Sequence, residues 1–173
     1  MKKSPLSFTE QLAIRKLWIW AIVLPILAVL SYSVYTQLVL GVPFGTKPVS
    51  SIGLVIGWLV AFSTVLLIYL LKLKLNLDAN TLQYNMLIFG INKKVAWTQI
   101  KSLELTTINA LTGYGYRLGN EGVILNMGTP KGLKITDING QTIVLSVKDI
   151  SKLENFLSQI MPIYPNIQFK NLG

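Results

Sequence analysis

The sequence predicts an α+β membrane protein: a two-helix transmembrane hairpin followed by a seven-stranded antiparallel β barrel or sandwich capped by a C-terminal α-helix. Three observations carry that reading. Residues 17–40 and 49–71 contain no charged side chain, and each stretch is long enough to cross a hydrocarbon core of about 30 Å at 1.5 Å per helical residue. After Leu71 apolar and polar residues alternate, the period of a strand with one buried face. From Asp149 the spacing becomes helical and stops at Pro162. Residues 1–71 therefore form an N-terminal cytoplasmic segment and the hairpin, 72–161 a β domain with its terminal helix, and 162–173 a tail.

Composition supports the membrane part. Of 173 residues, 51% are hydrophobic and 13% charged, about half the charged fraction of an average soluble domain. The chain has neither cysteine nor histidine, which removes disulfides, thiolate zinc sites, imidazole ligands and Cys or His catalysis. Sixteen Lys and Arg against seven Asp and Glu give a net charge of +9. Beside lipid, such an excess points to anionic headgroups. Nucleic acid would need the cations gathered on one face, and they are scattered, so no nucleic-acid partner is expected.

In the first span, Leu17 to Leu27 is strongly apolar, while Ser31, Tyr32, Ser33, Tyr35, Thr36 and Gln37 make the second half more polar. Pro25 removes one helical hydrogen bond, which membrane helices tolerate when neighbours repair it. Gly41-Val-Pro-Phe-Gly-Thr-Lys-Pro48 holds helix breakers and is too short for a domain, so the two spans form an antiparallel hairpin. Lys2, Lys3, Arg15 and Lys16 precede the first span, Lys72 and Lys74 follow the second, and only Lys47 lies between. By the positive-inside rule both termini are cytoplasmic, in a multi-pass protein of the cell inner membrane. A cleaved signal peptide is the competing reading of the first span, disfavoured by its long n-region. Gly53, Gly57 and Ala61 recur every four residues of the second span and predict a close packing face. Its partner is either the chain's own first helix or, in a homodimer, a second copy. Trp18, Trp20 and Tyr69 read as interfacial anchors.

In the β domain, Lys72 to Asp78 alternates strictly, with Leu73, Leu75 and Leu77 on one face, and Asp78-Ala-Asn80 turns the chain. Further strands are expected at 81–89, 93–97, 101–108 and 122–127. Gly113, Gly115 and Gly119, around Tyr114, Tyr116 and Arg117, read as an irregular or bulged crossing. Residues 133–138 and 141–147 flank Asn139-Gly140, a strong short-range hairpin signal. Ile150, Leu153, Phe156, Leu157 and Ile160 then form one helical stripe, with Asp149 or Ser151 as its N-cap. In the tail, Ile163, Tyr164, Ile167 and Phe169 are candidates for an added extended segment.

Trp97-Thr-Gln-Ile100, Gly113-Tyr-Gly-Tyr-Arg117 and Gly132-Leu-Lys-Ile135 leading into Asn139-Gly140, within this order of strands and a closing helix, give a resemblance over residues 15–160. The chain resembles bacterial membrane proteins that fuse a transmembrane hairpin to a pleckstrin-homology (PH)-like domain. The resemblance implies a membrane-associated binding or scaffold protein without catalysis. In eukaryotic PH domains inositol phosphates bind basic residues around the first hairpin loop. Here that loop is Asp78-Ala-Asn80, short and acidic, which argues against specific phosphoinositide recognition.

The residues themselves offer little catalytic chemistry. Seven carboxylates (Glu10, Asp78, Glu104, Glu121, Asp137, Asp149, Glu154) do not cluster into an acid and base pair, and Asp78 and Asp137 sit at turns. There is no phosphate-binding glycine loop and no dinucleotide fingerprint. Gly113 to Gly119 lacks a following helix and reads as a bulge rather than a ligand cradle. No catalytic residue, metal or cofactor is expected. Residues 72–173 carry eleven cations against six acids. Among them Lys93, Lys94, Lys131 and Lys134 are the candidates for contact with an anionic leaflet, or else ordinary solvated strand ends. Arg117 is the domain's only arginine. Its planar fork suits a partner's carboxylate or phosphate, or a structural ion pair or stacking on the adjacent tyrosines. Trp97 reads as core.

The leading functional expectation is a membrane-anchored, non-catalytic interaction module that binds a protein partner or anionic lipid headgroups at the cytoplasmic surface. The alternative is a subunit of a membrane enzyme or transporter complex with a site at the helix hairpin, in which Glu104 or Glu121 would matter. Neither span contains an ionisable acid, lysine or arginine, which weighs against a transport path.

Overall fold

A computed structural model describes residues 6–14, 16–109, 112–119 and 122–171. Lys2, Lys3, Arg15 and Glu121, used in the sequence reading, lie outside the described residues. The chain divides into two compact units, one of residues 15–70 and one of residues 1–14 together with 71–173. The N-terminal segment thus groups with the β unit rather than with the helices.

The helical unit contains α1 (Leu17–Val34), continued by a π-helical turn over Tyr35–Val39, and α2 (Ser51–Leu70). Both are long and apolar enough to cross a membrane, and about 6% of the most apolar window of either is buried. The two helices pair through a few polar contacts. The indole Nε1 of Trp58 donates to Ser31 Oγ at 2.8 Å, and the Gln37 amide donates to Val49 O at 2.8 Å and to Ser51 Oγ at 3.2 Å. Ser33 and Thr36 are buried and return their hydroxyls to the carbonyls of Val29 and Ser33. Gly53, Gly57 and Ala61 fall on the less exposed side of α2, with Leu54, Trp58, Val65 and Ile68. Yet a β-carbon added at Gly57 would meet open space, so within the chain no close backbone approach is made there.

The described residues of the β unit form ten strands in two sheets. The first sheet is an antiparallel meander in the order β1 (Ser7–Ala13), β2 (Lys72–Asp78), β3 (Thr81–Met86), β4 (Ile91–Ala96). The second has the order β10 (Gln168–Lys170), β5 (Ile100–Thr107), β8 (Lys131–Asp137), β9 (Thr142–Val147), β7 (Gly122–Asn126), β6 (Gly115–Gly119). Three corrections to the sequence reading follow. Among the described residues the strands number ten, not seven, and β10 with β5 and β7 with β9 run parallel. Nor do the sheets close into a barrel.

β1 and β2 are paired from Ser7 with Asp78 to Ala13 with Lys72, so in sequence the whole helical unit is an insertion between two hydrogen-bonded neighbours. Phe8 and Leu12 of β1 are buried with Leu73, Leu75 and Leu77 of β2. Glu10 lies between them on the same face, and its two carboxylate oxygens accept the backbone N–H groups of Lys148 and Asp149, both at 3.0 Å. Those amides precede α3 (Ile150–Ile160), whose first turn Asp149 caps by accepting the Lys152 N–H at 3.1 Å. A negative side chain there is favoured by the helix dipole as well.

Ile150, Leu153, Phe156, Leu157 and Ile160 of α3 are buried, as the helical stripe predicts. Trp97 follows β4 in a one-turn 3₁₀ segment and is fully buried. Its Nε1 donates to Asp78 O at 2.8 Å, and its ring meets those of Phe156 and Tyr164. Tyr164 Oη donates in turn to Ala79 O at 3.0 Å, which ties the tail to the first turn of the sheet. Asn139-Gly140 does turn the β8–β9 hairpin. Gly140, at φ 80°, donates to Asp137 O, and Asp137 N–H donates to Gln141 O. Only the glycine has positive φ, so this is a three-residue loop with a left-handed glycine rather than a two-residue turn.

Candidate functional site

Side chains alternate across a strand, so the register of the second sheet fixes which residues share its outer face. One row crosses all six strands: Lys170, Glu104, Lys134, Val144, Ile124 and Arg117. The inner face beside it carries Leu103, Leu105, Leu133, Ile135, Leu145 and Leu125, all buried. Three of the outer residues, Lys134, Val144 and Ile124, floor an open cleft with a cavity volume of about 520 Å³. Thr106, Thr107, Ile108, Asn109 and Thr112 line it on the side of the chain leaving β5, and Arg117, Leu118, Gly119 and Gly122 on the side of the β6–β7 hairpin.

Two local devices build this cleft. Ile108 is buried and lies over Gly132, where an added β-carbon would sit 2.8 Å from its Cδ1, so glycine at 132 lets the segment after β5 fold down onto the sheet. On the other side, the buried amide of Asn126 donates to Gly113 O at 2.6 Å and accepts the Gly128 N–H at 2.8 Å. That pins Gly113, at φ 75°, where a β-carbon would lie 3.1 Å from Arg117 Nη2. Glycine at 113 thus serves both the left-handed backbone and the guanidinium that folds back over it.

The five cations singled out from sequence fall in three places. Arg117 and Lys134 share the cleft. Lys134 Nζ stands 3.9 Å from Glu104 Oε2, and Lys170 Nζ is 3.3 Å from Glu104 Oε1, so Glu104 is held between two lysines across adjacent strands. Lys131 opens β8 beside a second recess, of about 440 Å³, lined by Thr129, Pro130 and residues 147–151. Lys93 and Lys94 are exposed on β4, an edge strand of the first sheet. Lys94 acts electrostatically on Asp78 at the first turn.

The carboxylates are mostly engaged in structure. Asp78 Oδ1 accepts the N–H groups of Asn80 and Thr81, and Oδ2 accepts the Thr81 hydroxyl. Partial burial works against the charged form, but these bonds and Lys94 outweigh it and hold the carboxyl below its ordinary value. Asp137 Oδ1 accepts from Asn139 and Gln141 in the β8–β9 loop. Asp149 is lowered by its hydrogen bonds from the Lys152 side chain and backbone, and Lys152 is raised by the same contact. Burial, then the charge of Asp137, raises the Tyr84 hydroxyl. Among the described residues no cluster of acids could hold a metal ion.

A cleft lined by an arginine and three threonines is suited to a planar or tetrahedral anionic group. Sequence reasoning found Arg117 and Lys134 separately. It missed Thr106, Thr107, Asn109 and Thr112, because only the register and the folded-over segment bring them into one cleft with the arginine. It also missed Glu10, whose amide partners lie at the far end of the chain. No protein-family model matches the chain, and no curated protein matches it.

Proposed function

We propose that the protein is a membrane-anchored, non-catalytic interaction module whose β unit binds an acidic segment of a protein partner at the cytoplasmic surface of the inner membrane. The observation that carries this reading is the outer-face cleft. Arg117 and three threonines line it, and it is open enough for an extended segment. Of the described carboxylates, Glu10, Asp78, Glu104, Asp137 and Asp149 are committed to backbone amides or lysines, which supports binding over acid and base chemistry. The four-stranded meander, the second sheet and the closing helix support the PH-like resemblance, and the parallel pairs depart from it.

The pairing of β1 with β2 supports the topology. Both ends of the helical unit must lie on one side of a bilayer for those strands to meet, so the number of crossings is even. Lys16, Lys72 and Lys74 at these ends make that side the cytoplasmic one. Because the chain lacks cysteine, single cysteines at Lys47 and Asn139 report the sidedness directly. An impermeant thiol reagent should label Lys47→Cys and not Asn139→Cys in spheroplasts.

The binding reading is tested with a photo-crosslinking residue at Leu118 in native membranes. A light-dependent protein adduct that is lost with Arg117→Ala supports it. No adduct above the dark control, or one indifferent to Arg117→Ala, overturns it. One observation favours the alternative of an enzyme or transporter subunit: a recess of about 380 Å³ lined by Gln37, Phe44, Gly45, Thr46, Lys47, Val49 and Leu54 in the helical unit. Crosslinking at Phe44 instead of Leu118 would turn the assignment that way.

A further inference from the structure

The two ends of the first sheet differ in chemistry. The register places Ala13, Lys72, Met86 and Ile91 together at one end, and Ser7, Asp78, Thr81 and Ala96 at the other. The far end turns through Asp78-Ala-Asn80, where the Asp78 carboxylate accepts from the Asn80 and Thr81 N–H groups and the Thr81 hydroxyl. The near end turns through Leu87-Ile88-Phe89, a 3₁₀ turn closed by Gly90 N–H to Leu87 O at 2.9 Å, with Gly90 left-handed. No soluble-protein logic calls for that composition: Leu87 is 79% exposed and Phe89 47%. The Phe89 ring packs against Tyr116 with centroids 5.8 Å apart. A β-carbon at Gly115 would touch both Phe89 and Leu71 at 3.6 Å, so Leu71, Phe89 and Tyr116 form one continuous apolar surface with Leu87 at its tip.

Contiguous exposed apolar residues of this kind mark a surface with a partner. The chain itself says which. Leu71 directly follows Leu70, the last residue of an apolar helix long enough to span a membrane. The turn therefore belongs to the end of the sheet at which the chain enters and leaves the bilayer. We infer that Leu87, Phe89 and Tyr116 form an interfacial anchor that inserts into the headgroup and acyl boundary of the membrane carrying the helices. Tyrosine belongs at that depth, with its ring among acyl chains and its hydroxyl in water, and the leucine and phenylalanine go deeper. The anchor orients the β unit on the surface, a task the covalent connections alone do not perform. This inference rests on the membrane-spanning reading of α1 and α2.

The test uses the full chain carrying single nitroxide-labelled cysteines, reconstituted in vesicles of phosphatidylcholine and phosphatidylglycerol. Oxygen concentrates in hydrocarbon and a water-soluble nickel chelate does not, so the ratio of their relaxation effects reads depth. Leu87→Cys and Asn80→Cys probe the two ends of the sheet, both at exposed positions with no packing to lose. Ile56→Cys, on the exposed side of α2, reports on the span. The anchor predicts a several-fold higher oxygen-to-nickel ratio at Leu87 than at Asn80. Equal, water-like ratios at both with a lipid-like ratio at Ile56 overturn the anchor and leave the span intact. A water-like ratio at Ile56 overturns the span and the anchor with it. An immobilised label at Leu87, shielded from both reagents, means a protein partner or a second copy covers the turn, and overturns lipid as the occupant.

Discussion

The helical unit and the β unit are built from the same kinds of side chain, yet they solve opposite problems. In the β unit Leu73, Leu82, Leu103, Leu125 and Leu145 are fully buried by other parts of the same chain. In α2 not one residue is buried, although Ile52, Ile56, Leu59, Val60 and Leu67 are no less apolar. The first set is satisfied by non-local pairing of strands and is sensitive to any cavity. The second finds its environment outside the protein, so its tolerance depends on length and polarity rather than on fit.

The contrast is broken most completely by taking β1 away. Phe8, Leu12 and Ile14 are buried, each worth about 1.5–3 kcal/mol, against a total domain stability of about 5–15 kcal/mol. A fragment of residues 71–171 should therefore lack a cooperative unfolding transition. A chain in which a short turn joins residue 14 to residue 71 in place of the helices should fold in water. Chemical denaturation followed by near-ultraviolet circular dichroism separates the two outcomes. Next in size, Trp97→Ala in that joined chain should cost about 3–5 kcal/mol, read as a lower denaturation midpoint. Ile56→Ala in the full-length protein should leave membrane insertion unchanged, because the side chain is more than half exposed and the span stays apolar. If the two substitutions proved equally damaging, the distinction between the units would fail.

Glu10→Gln is a smaller perturbation, expected at about 1–3 kcal/mol, since the neutral amide loses the charge and one of two acceptors facing the Lys148 and Asp149 N–H groups. Smallest is the acid response. Asp78 and Asp149 are held below the ordinary carboxylate value of about 3.9 in the folded state. Their contribution is present above that value and is lost as pH falls through the lowered folded one. Stability of the β unit should fall below about pH 4, and Asp78→Asn with Asp149→Asn should flatten that slope.

What could be read from sequence was local. The uncharged runs, the strict alternation of Lys72 to Asp78, the Asn139-Gly140 turn and the stripe from Ile150 to Ile160 each fit within one window of chain. β1 could not be read this way. Phe8 and Leu12 flank Glu10 in a segment too short and polar to stand out, and its partner strand comes only after both helices. The tail offered an added extended segment around Phe169, and β10 forms there, but its partner and the parallel pairs were illegible, because parallel neighbours need no turn between them. The glycines around Arg117 suggested an irregular crossing, and the structure puts β6 there from Gly115. The cleft was half visible: the arginine drew attention by its rarity, but the threonines that line the cleft with it come from the far end of β5 and from the segment after it, which Gly132 allows to fold over the sheet.

The split between β1 and β2 also constrains how the protein is made. On the membrane-spanning reading proposed above, the ribosome delivers the first edge of the sheet well before the strand that hydrogen-bonds to it, and the insertion machinery handles two hydrophobic segments in the interval. An insertion error that leaves only one of them threaded would strand Glu10 across the bilayer from the amides it binds. On that reading the sheet then lacks its β1 edge, and threading of the helices precedes completion of the fold.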